Sequence, residues 1–568
     1  MFIDALTLPE DTLVETDICI IGGGAAGITL AREFSNQPYQ VCLLESGGLD
    51  YGEATQSLYT GENVGVNYFP LKEARARYFG GSTNLWAGWS RPLDDIDFED
   101  RPWMPYSGWP FTKAELDPYY KRAQKACKLG PYEYDLAYWE EALGELQRRQ
   151  LPFLTEQIAT YLWQIIPPTH LHFGEAYRAE LEQARNINTI LSANVVEIET
   201  NDTAQAVTRL RVARLDGKQF WVAAKVFILA VGGIENPRLL LGSNQVQSNG
   251  LGNQYDLVGR FFMEHPYLIS GKMRLSSPAP LYAGRSCQIG ETFIATALGL
   301  SKEVQEREQM VNFCARLLPF EEEWIKAFQR LKRLKNRQPT GHQAFPTLKE
   351  QRRKYFPTIK EGRKYDSDPT FIQDLATTIA NFDRIAAKAY AKLFSKKSLS
   401  AAQPNLCNTH LIGEQAPNPD SRITLSRERD SLGLNRVQLD WRLSPIDKYT
   451  IERSQQIIAE EFARSGLGQL QSELTEDDTS WQSVRGSYHH IGTTRMSINP
   501  KQGVVNEQCQ VHGVSNLYVA GSSVFPTSGL SNPTLTIIAL AVRLADHIKE
   551  HMDSSAGVTK GLEVTSTK

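Results

Sequence analysis

Three glycines near the N-terminus and an acid that follows them have the spacing of a site for phosphate and ribose. Gly22, Gly24 and Gly27 form the pattern G-x-G-x-x-G. The first allows a tight turn, the second lets the backbone approach a pyrophosphate, and the third lets a helix pack on a strand. Glu45 stands 23 residues after Gly22, where a carboxylate can bind both hydroxyls of an adenosine ribose. The spacing predicts a site for an ADP-containing dinucleotide and leaves FAD and NAD open.

The segments around these residues have the pattern of a strand, a helix and a second strand. Asp17 to Ile21 contains a β-branched run typical of a buried strand, and Gln40 to Leu44 is a second one that ends at Glu45. The apolar spacing from Ala25 to Phe34 predicts a helix whose N-terminal N–H groups face the phosphates. A bare glycine motif can be a turn that binds nothing. The complete arrangement favours the dinucleotide site.

Two further glycine pairs stand where backbone could lie close to a flat ligand. Gly80-Gly81 precedes Ser82 and Thr83, although this segment could also be a turn beside buried tryptophans. Gly232-Gly233 follows an apolar strand predicted over Phe220 to Val231. A helix start is expected at Glu235, so the second pair predicts another approach of the backbone to the cofactor.

The last 80 residues contain two adjacent histidines, His489 and His490, just before Gly492. A strand predicted over 514–519 leads to Gly521. Asn532-Pro533 then begins a helix that is apolar nearly all round and therefore predicted to be buried. The N-terminus of that helix presents positive dipole charge to the interior.

Length and composition indicate a globular protein of two or more domains. The chain has 568 residues, of which 41% are hydrophobic and 22% charged. Its net charge of −4 provides no basic field for nucleic acid. No apolar run approaches the 18 or so residues that a membrane helix needs, and the N-terminus has no signal-peptide pattern. We therefore expect neither a nucleic-acid partner nor a membrane span.

Cysteine usage is typical of a reducing compartment. The number of cysteines is odd, at seven, and Cys19 and Cys42 fall inside predicted core strands. No C-x-x-C pair and no zinc spacing occurs. We expect a cytoplasmic protein without a metal site.

The interval 301–400 differs in charge from the rest of the chain. It contains 21 Lys and Arg against 12 Asp and Glu, a net +9, while the whole chain is −4 and the remainder therefore −13. Trp324, Phe328 and Leu331 share one face of a predicted helix that also carries basic residues. That face could pack into the core, or it could lie on an anionic membrane or a partner. We expect a lid-like insertion in the substrate domain.

These motifs together resemble the glucose–methanol–choline (GMC) family of flavin oxidoreductases along the whole chain. The resemblance rests on the first glycine motif with Glu45, Gly80 to Thr83, H-x-x-G-T-x-R-M at His489 to Met496, Gly521 to Pro526, and Asn532-Pro533. Several motifs in order are more specific than the first alone. The segments 94–98 and 106–110 are most similar to the pyranose-oxidase and fructose-dehydrogenase branch.

The resemblance implies an α/β fold (α+β overall), with a Rossmann-like FAD-binding domain and a discontinuous substrate domain built on an antiparallel sheet. The FAD domain is expected from residues 1–100, 187–265 and 482–553, the last with the catalytic motifs. The substrate domain is expected from 101–186 and 266–481, and 554–568 is expected to be a disordered tail.

The resemblance also implies the catalytic residues. His489, three residues before Gly492, occupies the position of the family histidine that faces the flavin, and Asn532 occupies the position of its partner. An imidazole can accept the hydroxyl proton near neutral pH while hydride moves from carbon to flavin N5. Asn532 could also serve simply as a helix N-cap. His490 and His265 are expected to be structural.

Sixteen residues are expected to bind the cofactor. They are Gly22, Gly24, Ala25, Ala26, Gly27, Glu45, Gly81, Ser82, Asn84, Val195, Val196, Gly232, Gly521, Ser522, Asn532 and Pro533. Some relatives attach FAD covalently through a histidine in the region of Gly81. Asn84 stands at that position here and cannot form the bond, which implies non-covalent FAD.

The implied function is oxidation of a CH–OH group in a small alcohol or carbohydrate, such as a sugar, a glycoside or another polyol. The electron acceptor is oxygen, a quinone or another redox partner. Lyases and photodecarboxylases also occur on this fold, so a non-redox or light-driven flavoenzyme remains the alternative. A flavin-bound scaffold with peripheral membrane contact is a third hypothesis, motivated by 301–400 and disfavoured by the intact His489 and Asn532.

Overall fold

The computed structural model describes residues 1–143, 151–276, 286–320, 405–474 and 480–564. The predicted insertion over 301–400 lies outside these ranges except for its first 20 residues. The strands, in chain order, are β1 (Phe2–Asp4), β2 (Leu13–Ile21), β3 (Val41–Leu44), β4 (Gly61–Asn63), β5 (Trp89–Ser90), β6 (Ile158–Ile165), β7 (Ile187–Leu191), β8 (Asn194–Thr200), β9 (Val207–Ala213), β10 (Gln219–Leu229), β11 (Tyr267–Leu275), β12 (Ser286–Ile289), β13 (Thr292–Leu300), β14 (Phe313–Pro319), β15 (Leu406–Gly413), β16 (Arg422–Arg429), β17 (Asn435–Asp440), β18 (Gly468–Gln471) and β19 (Leu517–Val519).

The helices are mostly short, apart from two in the C-terminal third. They are α1 (Ala25–Glu33), α2 (Glu53–Ser57), α3 (Asp95–Phe98), α4 (Lys113–Ala126), α5 (Leu136–Leu143), α6 (Phe173–Ala176), α7 (Arg178–Gln183), α8 (Gly232–Gly242), α9 (Lys302–Glu308), α10 (Pro445–Arg464) and α11 (Thr534–Val564). Within the described ranges, no helix is long and apolar enough to pass through a bilayer.

The first sheet carries the dinucleotide motif. Its order is β1-β7-β3-β2-β10-β9-β8, and β19 also pairs with β10. Strands β3, β7, β10 and β19 run parallel to β2 or to its neighbours. Residues Ile18 to Ile20 in β2 are fully buried, as expected for a parallel strand covered on both faces. The predicted strand–helix–strand is confirmed as β2, α1 and β3.

The second sheet is antiparallel. Its order is β18-β11-β15-β14-β13-β6-β5, with β12 paired to β13. Strand β15 alternates buried and partly exposed residues, which is the pattern of a sheet with one face on a core. The helix α10 covers that core with Ile451, Ile458 and Phe462. A third sheet, β16-β17-β4, joins residues 61–63 to the C-terminal half of the chain.

The segment 101–186, predicted as the first part of the substrate domain, contains one strand of the second sheet and helices that pack beside the first sheet. Only β6 enters the antiparallel sheet. Helix α4 packs on α11, where the Tyr120 and Thr536 hydroxyls lie 2.8 Å apart. Helix α7 packs on α1 and β7. Helix polarity along 101–186 does not show which domain a helix will cover, so the sequence could not divide this segment.

Two element boundaries also differ from the predictions. Helix α8 begins at Gly232 rather than at Glu235, and Pro237 lies inside it. The tail predicted to be disordered from residue 554 continues α11 as far as Val564. Extending an existing helix adds one hydrogen bond per residue without the cost of nucleation, which accounts for a helical tail of small and polar residues.

Candidate functional site

A cavity lies at the carboxyl ends of the parallel strands of the first sheet. Its wall includes the residues that directly follow β2, β3, β10 and β19, namely Gly22 to Ala26, Glu45, Ala230 to Gly233 and Ala520 to Ser522. Because these strands are parallel, their carboxyl ends meet at one edge, the usual ligand position in such sheets. The strand order alone therefore brings four distant motifs to one cavity.

Three glycines leave the cavity open where any other residue would fill it. Gly24, Gly232 and Gly521 all line the wall. A Cβ placed on Gly232 or Gly521 would have no neighbour within 4 Å, and one on Gly24 would meet only the Gly81 Cα at 4.0 Å. A side chain at these positions would thus project into the cavity rather than into the protein. This open backbone fits a large, flat, phosphate-bearing cofactor.

Glu45 is held against the glycine turn. It is 5% exposed, and its two carboxylate oxygens accept the N–H groups of Gly23 and Gly47, each at 2.9 Å. Burial raises the pKa of this carboxyl, and the two backbone N–H groups and Arg77 oppose that rise. Glu45 therefore stabilises the turn while it lines the cavity.

A buried cluster of charges forms another part of the wall. The Glu235 carboxylate contacts Arg75 at 2.7 Å, and Arg77 and Arg238 each at 3.2 Å. Burial by itself would raise the pKa of Glu235, but Arg238, Arg75 and Arg77 hold it at about 2. The Nε and Nη1 atoms of Arg75 have no hydrogen-bond partner among the described residues although they are buried. Since Arg238 also pairs with Asp430, the cluster holds three arginines against two carboxylates, and this excess of positive charge suits a phosphate-bearing cofactor.

The two predicted catalytic side chains meet at the cavity wall. His489 Nε2 lies 3.4 Å from Asn532 Nδ2, although the two residues come from separate motifs. On its other side, His489 Nδ1 lies 2.7 Å from His265 Nδ1. Burial, and then the neighbouring His265 and His490, hold the pKa of His489 well below its ordinary value. A lowered pKa favours the neutral form of His489, in which one ring nitrogen keeps a lone pair.

A single carboxylate fixes the backbone around these histidines. Glu264 is fully buried and accepts the N–H groups of His265, Ser487 and His489 at 2.9 to 3.1 Å. Between the last two, Tyr488 adopts a φ of 65°, which is uncommon for a residue with a side chain. Glu264 thus holds the turn that presents His489.

His490 makes a different set of contacts. Its Nε2 lies 2.9 Å from the Tyr68 hydroxyl, and that hydroxyl donates to Glu264. Its backbone carbonyl accepts the Ser522 hydroxyl at 2.7 Å. His490 lines the cavity, but it does not join the pair formed by His489 and Asn532.

The structure places 14 of the 16 predicted cofactor residues on the cavity wall. Gly27 lies behind it, where a Cβ would fall 1.8 Å from the Gly22 carbonyl oxygen, in agreement with its predicted role in packing helix on strand. Asn84 is the one that the structure does not bring to the site. Its side chain is buried and donates to the Phe79 carbonyl at 3.0 Å, because the glycine turn before it curls the chain away.

Arg75, Arg77 and Glu235 also line the cavity and were not predicted to do so. The two arginines close before the Gly80 pair were an available signal. Their ion pairs with Glu235, which stands some 160 residues later, could not be predicted from the sequence. His265 was predicted to be structural, and its contact with His489 also depends on folding.

Comparison with known proteins gives the family. The family model described as "FAD dependent oxidoreductase" matches residues 17–247, and the one described as "GMC oxidoreductase" matches residues 417–541. The chain is 22% identical to the fructose dehydrogenase large subunit of Gluconobacter japonicus, over 95% of this chain and 99% of that protein. It is 23% identical to 2-methyl-1,2-propanediol dehydrogenase of Mycolicibacterium austroafricanum, over 94% and 95%.

A solved structure shows the same fold. Pyridoxine 4-oxidase from Mesorbium loti superposes with a TM-score of 0.55 at 16% identity, over 94% of this chain and 99% of that one. The two matched family models cover the glycine turn and the pair of His489 and Asn532, respectively. The chain is a member of the GMC family of FAD-dependent oxidoreductases.

Proposed function

We propose that the protein oxidises a CH–OH group of a small alcohol or carbohydrate, with His489 as the base. The observation that carries this proposal is the 3.4 Å approach of His489 Nε2 to Asn532 Nδ2 at the wall of the cofactor cavity. An alcohol must lose its hydroxyl proton as it gives up hydride, and a group within hydrogen-bond reach has to take that proton. Bound FAD supplies the hydride acceptor.

The two side chains have complementary tasks. The neutral His489 accepts the hydroxyl proton at Nε2. Asn532 can bind the substrate oxygen through its amide and cannot compete for the proton. Because α11 begins at Thr534, two residues after Asn532, its N-terminus adds positive dipole charge beside the site. The amide and the dipole hold the substrate oxygen in reach of His489 as negative charge develops on it.

Different residues of the wall are proposed to contact different parts of FAD. We propose that the turn from Gly22 to Ala26 binds the pyrophosphate and that Glu45 binds the ADP ribose. The positive charge of Arg75 and Arg77 in the wall favours the phosphate oxygens. We propose that Gly232, Gly521 and other residues of the wall contact the remaining parts of FAD.

We propose that FAD is held without a covalent bond. The residue at the attachment position of some relatives is Asn84, and its amide is bonded to the Phe79 carbonyl. Precipitation of the protein with acid is expected to release the yellow flavin into the supernatant. A yellow pellet over a colourless supernatant would contradict the proposal.

Sugars and other polyols are the proposed substrates. The similar dehydrogenases are named for fructose and for 2-methyl-1,2-propanediol, and a C-glycoside 3-oxidase of Microbacterium trichothecenolyticum is 35% identical over 22% of this chain. Trp86 and Trp89 line the cavity, and aromatic faces suit the C–H surface of a sugar ring. Oxygen, a quinone or another redox partner is proposed as electron acceptor. A cytoplasmic location is also proposed, which the burial of Cys19 and Cys42 inside core strands supports.

An anaerobic screen tests the function. The purified yellow protein is mixed with alcohols, sugars and glycosides in the absence of oxygen, and the visible flavin absorbance is followed. A true substrate is expected to bleach the flavin in the native protein and far more slowly in His489→Ala. A compound that is consumed while the flavin stays oxidised would favour the lyase or light-driven alternative.

A further inference from the structure

Two hydrogen bonds link His489 to the carbonyl of Gly529 through His265. His265 Nε2 lies 2.8 Å from the Gly529 oxygen, and His265 Nδ1 lies 2.7 Å from His489 Nδ1. The two imidazole rings are nearly perpendicular, at 80°. This series of hydrogen bonds has a carbonyl, which only accepts hydrogen bonds, at one end and the proposed base at the other.

The carbonyl sets the position of each proton along this series of hydrogen bonds. Because it only accepts, His265 must carry its proton on Nε2, and a neutral His265 then has a lone pair on Nδ1. The short contact between the two Nδ1 atoms requires one donor, which must be His489 Nδ1–H. His489 Nε2 is then left with its lone pair. Asn532 Nδ2, an amide donor, is the group that the structure places beside that lone pair.

His265 has a lone pair on Nδ1 only when its ring is neutral. His265 is 1% exposed, and burial lowers its pKa in spite of the Gly529 and Ser528 carbonyls and the Glu414 carboxylate. The Glu414 charge is paired with Arg101 in two bonds of 2.7 and 2.6 Å. The other nearby carboxylate, Glu264, accepts backbone N–H groups. Glu264 is not among the groups that shift the pKa of His265, and burial outweighs the effect of Glu414, so the neutral form of His265 is favoured.

We propose that His265 is a positioning residue that holds His489 in the tautomer with Nδ1 protonated and Nε2 free to accept a proton. The inference rests on the proposed role of His489 as base. Without these two hydrogen bonds, a neutral imidazole can carry its proton on either nitrogen. The tautomer protonated on Nε2 would present an N–H to the substrate where a lone pair is needed. Glu264 strengthens the arrangement because it binds the backbone N–H of both histidines.

The tautomer can be measured without catalysis. In FAD-loaded protein labelled with ¹⁵N-histidine, the nitrogen shifts separate protonated from unprotonated ring nitrogens, and comparison with His489→Gln identifies the His489 signals. We expect a protonated Nδ1 and an unprotonated Nε2 at pH 7.5 in the native protein. A protonated Nε2 would overturn the proposal even if alcohol oxidation itself is confirmed. Should no alcohol bleach the flavin, the tautomer result still stands or falls by itself.

Two substitutions separate positioning from packing. In His265→Asn, the amide oxygen can still accept His489 Nδ1–H, whereas His265→Leu fills similar space without any acceptor. Loss of the group that fixes a catalytic imidazole can cost up to about 10⁴-fold in rate, and we expect about 10²-fold slower flavin reduction in His265→Leu. His265→Asn is expected to recover at least about tenfold of that loss.

The loss should appear in the limiting rate of flavin reduction rather than in substrate affinity, with the FAD content of both variants unchanged. Nitrogen shifts of His265→Leu should show His489 with partial protonation at Nε2. Equal rates in the Leu and Asn variants, or a native tautomer in His265→Leu, would overturn the proposal. If His265→Leu does not fold, the comparison of His265→Asn with the native shifts still tests it.

Discussion

At the scale of single residues, the cavity wall contains a glycine that can be tested against a glycine of similar freedom elsewhere. Gly24 is expected to tolerate a side chain as far as the protein is concerned, because its Cβ would meet no atom closer than 4.0 Å. The side chain would instead occupy the proposed pyrophosphate position. We expect Gly24→Val to fold and to purify without FAD, as measured by the ratio of flavin to protein absorbance.

Gly242, at the end of α8, provides the control. A Cβ there has no neighbour within 4 Å, and Gly242 does not line the cavity. Gly242→Val is expected to purify fully yellow. A fully yellow Gly24→Val would show that the pyrophosphate lies elsewhere.

The adjacent histidines provide a second comparison between neighbouring residues. Removal of a positioned base costs about 10²–10⁴-fold in rate, so His489→Ala is expected to keep its FAD and to reduce it more slowly by that factor. His490→Ala loses a bond to Tyr68 rather than a base, and a much smaller loss is expected. Stopped-flow flavin reduction measures both. A severe His490→Ala with a mild His489→Ala would reverse the assignment, and two mild variants would remove the base altogether.

At the scale of elements, one buried ion pair joins the loop after α3 to the end of β15. Arg101 and Glu414 are 1% and 0% exposed and form two bonds. Removing one partner of such a pair costs about 3–5 kcal/mol because the other charge stays buried. We expect Glu414→Ala to lower the free energy of unfolding by about that amount, measured by urea denaturation.

An exposed pair gives the matched control for Glu414. Glu99 and Lys302 are about half exposed at 2.6 Å, and such surface pairs contribute little. Glu99→Ala is expected to leave the unfolding midpoint nearly unchanged. Equal effects of the two substitutions would show that burial of the Arg101 pair does not matter.

Strand β15 also carries a histidine that makes stability depend on pH. Burial, and then Arg316, lower the pKa of His410 to about 4. In the unfolded chain His410 is protonated below about pH 6.5, whereas in the folded chain it stays neutral down to about pH 4. Between these two pH values protonation favours the unfolded chain, so the free energy of unfolding is full above about pH 6.5 and decreases as the pH falls toward 4. Between pH 7 and 5 we expect the native protein to lose about 1–2 kcal/mol more than His410→Gln. A parallel loss in both proteins would contradict this pKa.

Elements whose evidence is local were predictable from the sequence. The β-branched run before Gly22 and the apolar spacing after it gave β2 and α1 within a few residues, because strand and helix periods are properties of short segments. The pairing of β4 with β17, across more than 370 residues, has no such signal. The start of α8 at Gly232 was missed since glycine pairs and an internal proline usually indicate a break.

At the scale of the whole molecule, the strands of the two large sheets are interleaved along the chain. The first sheet takes β1 to β3, β7 to β10 and β19, and the assignment of residue ranges to an FAD domain and a substrate domain stays a prediction. The sequence could not predict which elements of 101–186 pack beside which sheet. That packing depends on tertiary contacts such as the one between Tyr120 and Thr536. Glycine spacing pointed to Gly22, Gly24 and Gly232, which do line one cavity, and their contact with the cofactor stays a prediction. The contact between His265 and His489 could not be predicted, since it joins residues 224 positions apart.

The position of β19 in the first sheet has a consequence for biosynthesis. The ribosome makes β2 and the glycine turn well before β19, and domains tend to fold in the order of synthesis. Gly521 and Asn532 line the same cavity but follow β19, so they are made long after the glycine turn. A nascent chain without β19 therefore lacks part of the proposed FAD site, including Gly521, and lacks Asn532, the proposed contact of the substrate oxygen. Translation products that end before residue 521 are expected to be colourless and inert, so that an unfinished chain cannot run an unregulated redox reaction.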